Sequence, residues 1–231
     1  MEKNDLTTNR RAFIGTLATG AAAMTFGGVA APLQSMAKQN HYAADDDADA
    51  WFKKLDGKKH KIAFDVTGPN GMMPFAWPRV FLVTNTMTGT PEKDDGVVVI
   101  LRHEAIPYAM ESPLWTKYKF GEVFKVTDDK TKTSSLRNAF WKPGKDDFQI
   151  PGLGSVQIGI NELQDSGVMF CVCNMAMTVY SAAVSQMNNM KQEDVYNDWK
   201  KGLLPGIQIV PSGVWAIGRA QEHGCAYCFA G

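Results

Sequence analysis

The sequence predicts an α/β sandwich around a mostly parallel β-sheet. Two continuous apolar runs, 96–101 and 168–173, have the composition of strands that are buried on both faces. Other short apolar segments alternate with stretches whose apolar residues recur at helical spacing. Strands that alternate with helices along a chain indicate a parallel sheet covered by helices, which is the α/β class.

Each predicted strand is a short apolar stretch bounded by turn residues. The first is followed by the turn sequence Gly-Pro-Asn-Gly at 68–71. In chain order, the predicted strands are 61–67, 96–101, 168–173, 206–211 and 225–229.

Helical spacing of apolar residues predicts most of the segments that connect these strands. Pro78 is expected at the entrance of the first helix, and Ser212 is expected to cap the last one. The polar stretch 127–145 is long for a connection, so it is either functional or contains an unrecognised short element. The predicted helical segments are 74–87, 104–110, 112–126 with an irregular part, 155–163, 175–190, 193–201 and 212–223.

The first 37 residues have the features of an export signal. Arg10 and Arg11 precede the uncharged segment 14–33, and Ser35-Met36-Ala37 has small residues at the two positions that a signal peptidase reads. The arginine pair resembles the twin-arginine signal of bacteria, which implies that the protein is exported to the periplasm in a folded state. The alternative is an uncleaved membrane anchor, but glycines and a proline make this segment only weakly apolar.

Composition and charge define the rest of the chain. Residues 38–58 are expected to form a flexible spacer and lead-in, and residues 59–231 a single domain large enough to bury a core. The chain has 24 basic and 24 acidic residues, so its formal net charge is zero. Without a polybasic stretch, nucleic acid and anionic membrane are poor candidate partners.

Chemically active side chains follow the predicted strands. Asp65 lies near the end of the first strand, the triplet 102–104 is Arg-His-Glu, and Cys171 and Cys173 end a buried strand. Ligands of parallel sheets bind beyond the carboxyl ends of the strands. We therefore expect these groups and the Ser212 hydroxyl to lie at one edge of the sheet.

The four cysteines form two close pairs. In a regular strand Cys171 and Cys173 share a face, with Cα atoms about 6.6 Å apart, close to the limit of about 6.8 Å for a disulfide. A disulfide between them would be strained. Cys225 and Cys228 are three residues apart in a predicted strand, so they should point to opposite faces. If the strands are parallel, Cys228 is the one expected to approach the level of Cys171.

Cys173 is the most promising of these thiols. It stands where a predicted strand meets a predicted helix, where backbone N–H groups and the helix dipole favour a thiolate. The alternative is a buried cysteine that acts as a small apolar side chain. Cys171 would be its neighbouring thiol.

Metal binding and disulfide formation remain alternatives. Cys171, Cys173 and Cys228 offer thiolates for zinc or iron. Methionines close in sequence would add soft ligands for Cu(I), although their helical spacing is typical of core packing. Structural disulfides are also an option, because an exported protein meets an oxidising compartment.

The C-terminal half resembles the DsrE/DsrF-like family of small sulfur-handling proteins. The matching features are the strand that ends at Cys173, the helix after it, the segment 202–214 (GLLPGIQIVPSGV) and the segment 220–227 (AQEHGCAY). The first half matches through 97–107, and the resemblance covers roughly 59–229. It implies a three-layer α/β/α fold, a homo-oligomer, and sulfur carried as a persulfide on the cysteine after a central strand, which is Cys173 here.

Two functional hypotheses follow. The first is a periplasmic sulfur-binding or sulfur-transfer protein that uses Cys173 and Cys171, with a protein or a small sulfur compound as donor and acceptor. Side chains at the sheet edge would then hold an anionic sulfur substrate or tune the thiolate. These are Arg102, His103, Glu104 and Ser212. The second is a non-catalytic module that binds a metal or a partner and whose cysteines are structural.

Overall fold

A five-stranded parallel sheet organises the protein. The computed structural model describes residues 48–152 and 154–231. The sheet order is β6-β5-β2-β1-β7, and every neighbouring pair in it is parallel. A separate two-stranded antiparallel sheet joins β3 to β4. The strands are β1 His60–Val66, β2 Asp95–Leu101, β3 Gln149–Ile150, β4 Gly154–Ser155, β5 Met169–Cys173, β6 Ile207–Val210 and β7 Ala226–Phe229.

Helices cover both faces of the large sheet, and the predicted α/β/α sandwich is confirmed. Three 3-10 turns, Lys53–Leu55, Glu92–Asp94 and His103–Ala109, lie in the connections. The α-helices of the described residues are α1 Ala48–Phe52, α2 Met73–Met87, α3 Ser112–Lys117, α4 Phe120–Val123, α5 Ile160–Asp165, α6 Asn174–Met187, α7 Gln192–Lys201 and α8 Gly213–Glu222.

The central strand β2 shows how the two layers of helices are held. All seven of its residues are buried. Val97, Val99 and Leu101 contribute to a first core with residues of α2, α6 and α7. Val98 and Ile100 contribute to a second core with residues of α1 and α8. Because alternate side chains of a strand point to opposite faces, one continuous apolar run serves both cores.

Residues expected in the spacer belong to the folded unit. From Ala48 the chain forms α1 and a 3-10 turn, and Phe52 and Leu55 are fully buried in the second core. Residues 48–58 are therefore not a flexible spacer as predicted, because this segment supplies apolar side chains that cover the sheet. The predicted export signal, 1–37, lies outside the described residues. In the described part of the chain, no helix combines the length and the apolar character required to cross a membrane.

Two helix boundaries differ from the prediction. Helix α2 begins at Met73 with Pro74 in its first turn, so Pro78 is a buried interior residue and not the entrance. The helix predicted at 155–163 begins only at Ile160. The N–H groups of Val156 and Ile160 donate to the carbonyl oxygens of Phe148 and Phe140, at 3.0 and 2.7 Å. These bonds connect the segment before Ile160 to the preceding chain and keep it out of a helix.

The polar stretch 127–145 is a loop fastened to the first core. Asp128 is buried and accepts hydrogen bonds from Arg137 Nε at 2.7 Å and from the Lys130 N–H at 2.8 Å. Asn138 is also buried, and its Nδ2 donates to the carbonyl oxygens of Tyr108 and Met110 at 2.8 and 3.0 Å. The stretch thus needs no helix or strand of its own, because side chains satisfy its buried polar groups.

We expect Gly121→Ala to destabilise the fold where this loop meets α4. A Cβ on Gly121 would lie 2.3 Å from the backbone N and O of Ser135, and backbone cannot yield as a flexible side chain can. The free energy of unfolding should fall by about 2–3 kcal/mol in urea denaturation. Gly218→Ala in α8 is the control, since a Cβ there meets nothing within 4 Å. It should raise stability by about 0.5–1 kcal/mol, and a loss as large as that of Gly121→Ala would refute the packing argument.

We expect Asp128→Asn to make the protein less sensitive to acid. Hydrogen bonding to Arg137 lowers the pKa of Asp128, so the charged carboxylate stabilises the fold above about pH 4, its unfolded value. That stabilisation is lost as the pH falls through the lower folded pKa. Arg137 is 38% exposed, so solvent screening limits the stability that Asp128→Asn loses at neutral pH to about 1 kcal/mol. In urea denaturation the gap between wild type and variant should narrow below about pH 4. Asp129→Asn, at a side chain 76% exposed, is the control, and an equal effect there would contradict this assignment.

Candidate functional site

Cys173 ends strand β5 and caps helix α6. Its strand lies between β2 and β6, with Cys173 beside Val210 in the register. The Cys173 backbone is extended, and its Sγ accepts a hydrogen bond from the Ala176 N–H at 3.3 Å. A donated N–H and the positive end of a helix both stabilise negative charge on sulfur. The strand-to-helix position predicted for Cys173 is therefore confirmed.

Arg102 is the cation next to this thiol. It follows Leu101, which pairs with Val172 in the register, so Arg102 leaves the sheet beside Cys173. Its guanidinium donates to Asp65 from Nε at 2.6 Å and from NH2 at 2.9 Å. The hydrogen bonding to Asp65 raises the pKa of Arg102, and the charge of Cys173 acts in the same direction. The positive charge near the sulfur is therefore permanent.

Asp65 keeps this arginine in place. Its carboxylate is 1% exposed and accepts a third hydrogen bond, from Tyr227 Oη on β7, at 2.8 Å. On the far side, the stem of Arg102 lies against Gly213, the first residue of α8. A Cβ on Gly213 would lie 2.5 Å from both Cβ and Cδ of Arg102. Three strands and one helix terminus thus determine the position of a single guanidinium.

His103 and Glu104 follow the arginine and contact other residues. His103 is exposed with a positive φ of 52°, and its Nδ1 lies 3.0 Å from the hydroxyl of Tyr180 on α6. Burial raises the pKa of Tyr180, so this hydroxyl keeps its proton. The backbone N–H of Glu104 donates to Thr67 O at 2.9 Å, and its half-buried side chain lies near Gly68. The triplet lies at the predicted edge, and only Arg102 is joined to the Asp65 network.

Ser212 has a structural role. Its Oγ accepts the Trp215 N–H at 3.2 Å and caps α8, as predicted. The adjacent Pro211 O accepts the Met175 N–H at 3.3 Å, which ties this turn to the start of α6. The hydroxyl predicted to bind substrate is therefore engaged in holding α8 beside the site.

Cys171 is unsuited to the predicted part in catalysis. It is fully buried in the second core, and burial raises its pKa well above the usual range, so it is a neutral thiol. Cys173 packs in the first core, because the chain turns there into α6. The prediction that both thiols share one face is therefore wrong in this packing.

The metal site predicted from Cys171, Cys173 and Cys228 is not formed. Strands β2 and β1 lie between β5 and β7, and three strand spacings amount to about 14 Å. The register places Cys228 level with Phe170, near Cys171 along the strand but far from it across the sheet. All four cysteines are free thiols, and no group of three or more His, Cys, Asp or Glu among the described residues could hold a metal.

The second pair of cysteines is divided as predicted. Cys225 packs in the second core, and Cys228 packs against the first. Burial raises the pKa of Cys225 to about 11, and burial also raises the pKa of Cys228. Neither is activated, so Cys173 is the thiol whose surroundings favour reaction.

The similarity of this chain to the matching solved structure is distant. No family model matches the chain, and no curated protein matches it. Among solved structures, a protein of unknown function from Methanobacterium thermoautotrophicum is similar, with 16% identity over 74% of this chain and 99% of that chain, and a TM-score of 0.37. The fold class follows from the strand order of the chain itself, and membership of the DsrE/DsrF-like family stays a prediction.

Three residues of the site escaped the sequence analysis. Tyr227 was visible only as part of a motif, because its bond to Asp65 depends on β7 lying beside β1. Tyr180 has no local signal, since a tyrosine in an apolar helix resembles any core residue. Gly213 follows the predicted cap Ser212, and a glycine at the first position of a helix was the one available indication of a close approach.

We expect Asp65→Asn to cost far more stability than Tyr227→Phe. The first change leaves Arg102 without its anionic partner and should lower the free energy of unfolding by about 3 kcal/mol. The second removes one hydrogen bond and should cost about 1 kcal/mol. Urea denaturation measures both, and equal losses would show that the ion pair does not hold this edge together.

Proposed function

We propose that the protein binds and transfers sulfane sulfur, carried as a persulfide on Cys173. The observation that carries the proposal is the hydrogen bond from the Ala176 N–H to the Cys173 Sγ at the start of α6. It is supported by Arg102, a cation held beside the same strand end. Both features stabilise a thiolate and the persulfide anion that replaces it.

The transfer requires no oxidant when the donor already contains sulfane sulfur. The Cys173 thiolate attacks the outer sulfur of a compound such as thiosulfate and forms a new S–S bond. The original S–S bond breaks, and its electron pair leaves with sulfite. Cys173 then holds a persulfide, which an acceptor thiolate attacks in the same way. Arg102 offsets the negative charge that gathers at the sulfur in both steps.

Access limits the size of the donor. Cys173 is 6% exposed, so only a small part of the side chain can be reached from solvent. A small anionic sulfur compound fits this opening better than the thiol of a folded partner protein. Delivery to a partner protein would require α6 or the 3-10 turn His103–Ala109 to move aside.

The setting of the reaction is also part of the proposal. The arginine pair Arg10-Arg11 supports export to the periplasm, where small sulfur compounds are available without crossing the inner membrane. The resemblance to the DsrE/DsrF-like family supports a homo-oligomer. The chain's zero net charge supports neither nucleic acid nor membrane lipid as partner.

We expect thiosulfate or polysulfide to add sulfur to Cys173 alone. Intact-mass spectrometry without reductant should show adducts in steps of one sulfur atom, and peptide mapping after alkylation should locate them at Cys173. Cys173→Ser should abolish the adducts. Cys171→Ser and Cys228→Ser are the matched controls and should retain them, since one thiol is fully buried and the other belongs to a distant strand. Adducts that persist unchanged in Cys173→Ser would overturn the proposal.

A further inference from the structure

The loop 127–145 forms one wall of a cavity on the side of the first core. The cavity has a volume of about 260 Å³. The rings of Tyr108, Phe140 and Phe148 line it, with Phe140 and Phe148 stacked at 4.8 Å between centroids and 4° between planes. Pockets for drug-sized ligands measure roughly 300–1,000 Å³. This cavity is therefore sized for a smaller molecule, one that lays an apolar part against the aromatic wall.

The hydroxyl of Tyr108 lacks a partner in this cavity. Tyr108 as a whole is 2% exposed, and within residues 48–152 and 154–231 no hydrogen bond to its Oη is found. The oxygen is not among the fully buried unpaired atoms of those residues, so it faces the open space of the cavity. By contrast, the neighbouring Trp115 donates its Nε1 to Pro107 O and Met110 O. A hydroxyl that faces a cavity can donate a hydrogen bond to a small molecule there, or accept one from it. Tyr108 thus offers a polar group to a ligand beside the aromatic wall.

The basic and acidic side chains that line the cavity balance in charge, and two of them are available to a ligand. Arg137 is paired with Asp128, and Lys130 with Asp147 at 2.6 Å. Lys125 and Asp129 also line the cavity, and both are exposed. Asp129 has only a loose, exposed contact with Lys132 at 3.5 Å. Burial raises the pKa of Tyr108, and the negative charge of Asp129 acts in the same direction.

We propose that this cavity binds a zwitterionic α-amino acid with an apolar side chain. The ligand's side chain lies on Phe140 and Phe148, its ammonium group meets Asp129 and the Tyr108 hydroxyl, and its carboxylate meets Lys125. A ligand with no net charge suits a lining whose charges cancel. A ligand of amino-acid size suits the volume of the cavity.

The cavity is separate from the candidate sulfur site. The cavity lining includes neither Cys173 nor Arg102. Loss of one activity therefore leaves the other testable in the same protein.

Calorimetric titration with L-phenylalanine and L-methionine tests the site. Both should bind wild type, and Tyr108→Phe should bind them about 10-fold or more weakly, as expected for a lost hydrogen bond to a charged group. The free Tyr108→Phe protein should melt close to the wild-type temperature, because the ring stays in place and the lost hydroxyl has no partner among the described residues. Tyr118→Phe is the matched control and should bind as wild type does, because the Tyr118 hydroxyl bonds to Asp198 and does not line the cavity. No binding to wild type at millimolar ligand, or unchanged affinity in Tyr108→Phe, would overturn the site.

Ligands with a single charge test the zwitterion. Phenethylamine lacks the carboxylate and phenylacetate lacks the ammonium group, so each should bind at least about 10-fold more weakly than L-phenylalanine. Lys125→Gln should weaken L-phenylalanine but not phenethylamine, and Asp129→Asn should weaken L-phenylalanine but not phenylacetate. Equal affinity of wild type for either single-charge ligand and for L-phenylalanine would overturn the proposed ligand class.

Discussion

The carboxylate of Asp65 sits at the end of β1 where almost no water reaches it, and a charge in that position must be matched within the protein. Arg102 supplies the charge with two hydrogen bonds, and Tyr227 supplies a third. Arg102 directly follows β2 and Tyr227 lies on the edge strand β7, so these bonds tie the end of β1 to both of its neighbouring strands. Its arginine stem in turn requires a glycine at the start of α8. The need to neutralise Asp65 thus determines the arrangement of side chains at the carboxyl edge of the sheet.

The neutralisation of Asp65 also places a positive charge beside Cys173. If the arginine paired with a buried carboxylate elsewhere, the helix terminus alone would stabilise the Cys173 thiolate. Here the register of β2 and β5 brings the guanidinium to the neighbouring strand end. The electrostatic setting of the thiol is thus a consequence of how Asp65 is neutralised. Ser212 contributes indirectly, because its cap holds α8 against the arginine.

Local patterns were enough to predict the sheet and its strands, because runs such as 96–101 carry a signal that tertiary contacts only reinforce. Cys173 could be found for the same reason, since a strand-to-helix junction is a local feature. Pairings across the sheet could not be found. The separation of Cys228 from Cys171 depends on strand order, which no single segment encodes.

Other errors arose where distant groups override local preference. Residues 154–159 do not form a helix because the N–H groups of Val156 and Ile160 donate to the carbonyl oxygens of Phe148 and Phe140. The cavity beside the loop 127–145 was equally hidden, because its walls come from separate parts of the chain. The polar composition of 127–145 was nonetheless a valid indication that this segment differs from an ordinary connection.

The bond between Asp65 and Tyr227 spans 162 positions of the sequence. Contacts between such distant residues form late in folding, because closing a long loop costs chain entropy. While the chain is still emerging from the ribosome, β1 and β2 are present but Tyr227 is missing. The arginine near Cys173 therefore reaches its final setting only when nearly the whole domain has been made. A partly synthesised chain holds the cysteine without its complete electrostatic environment.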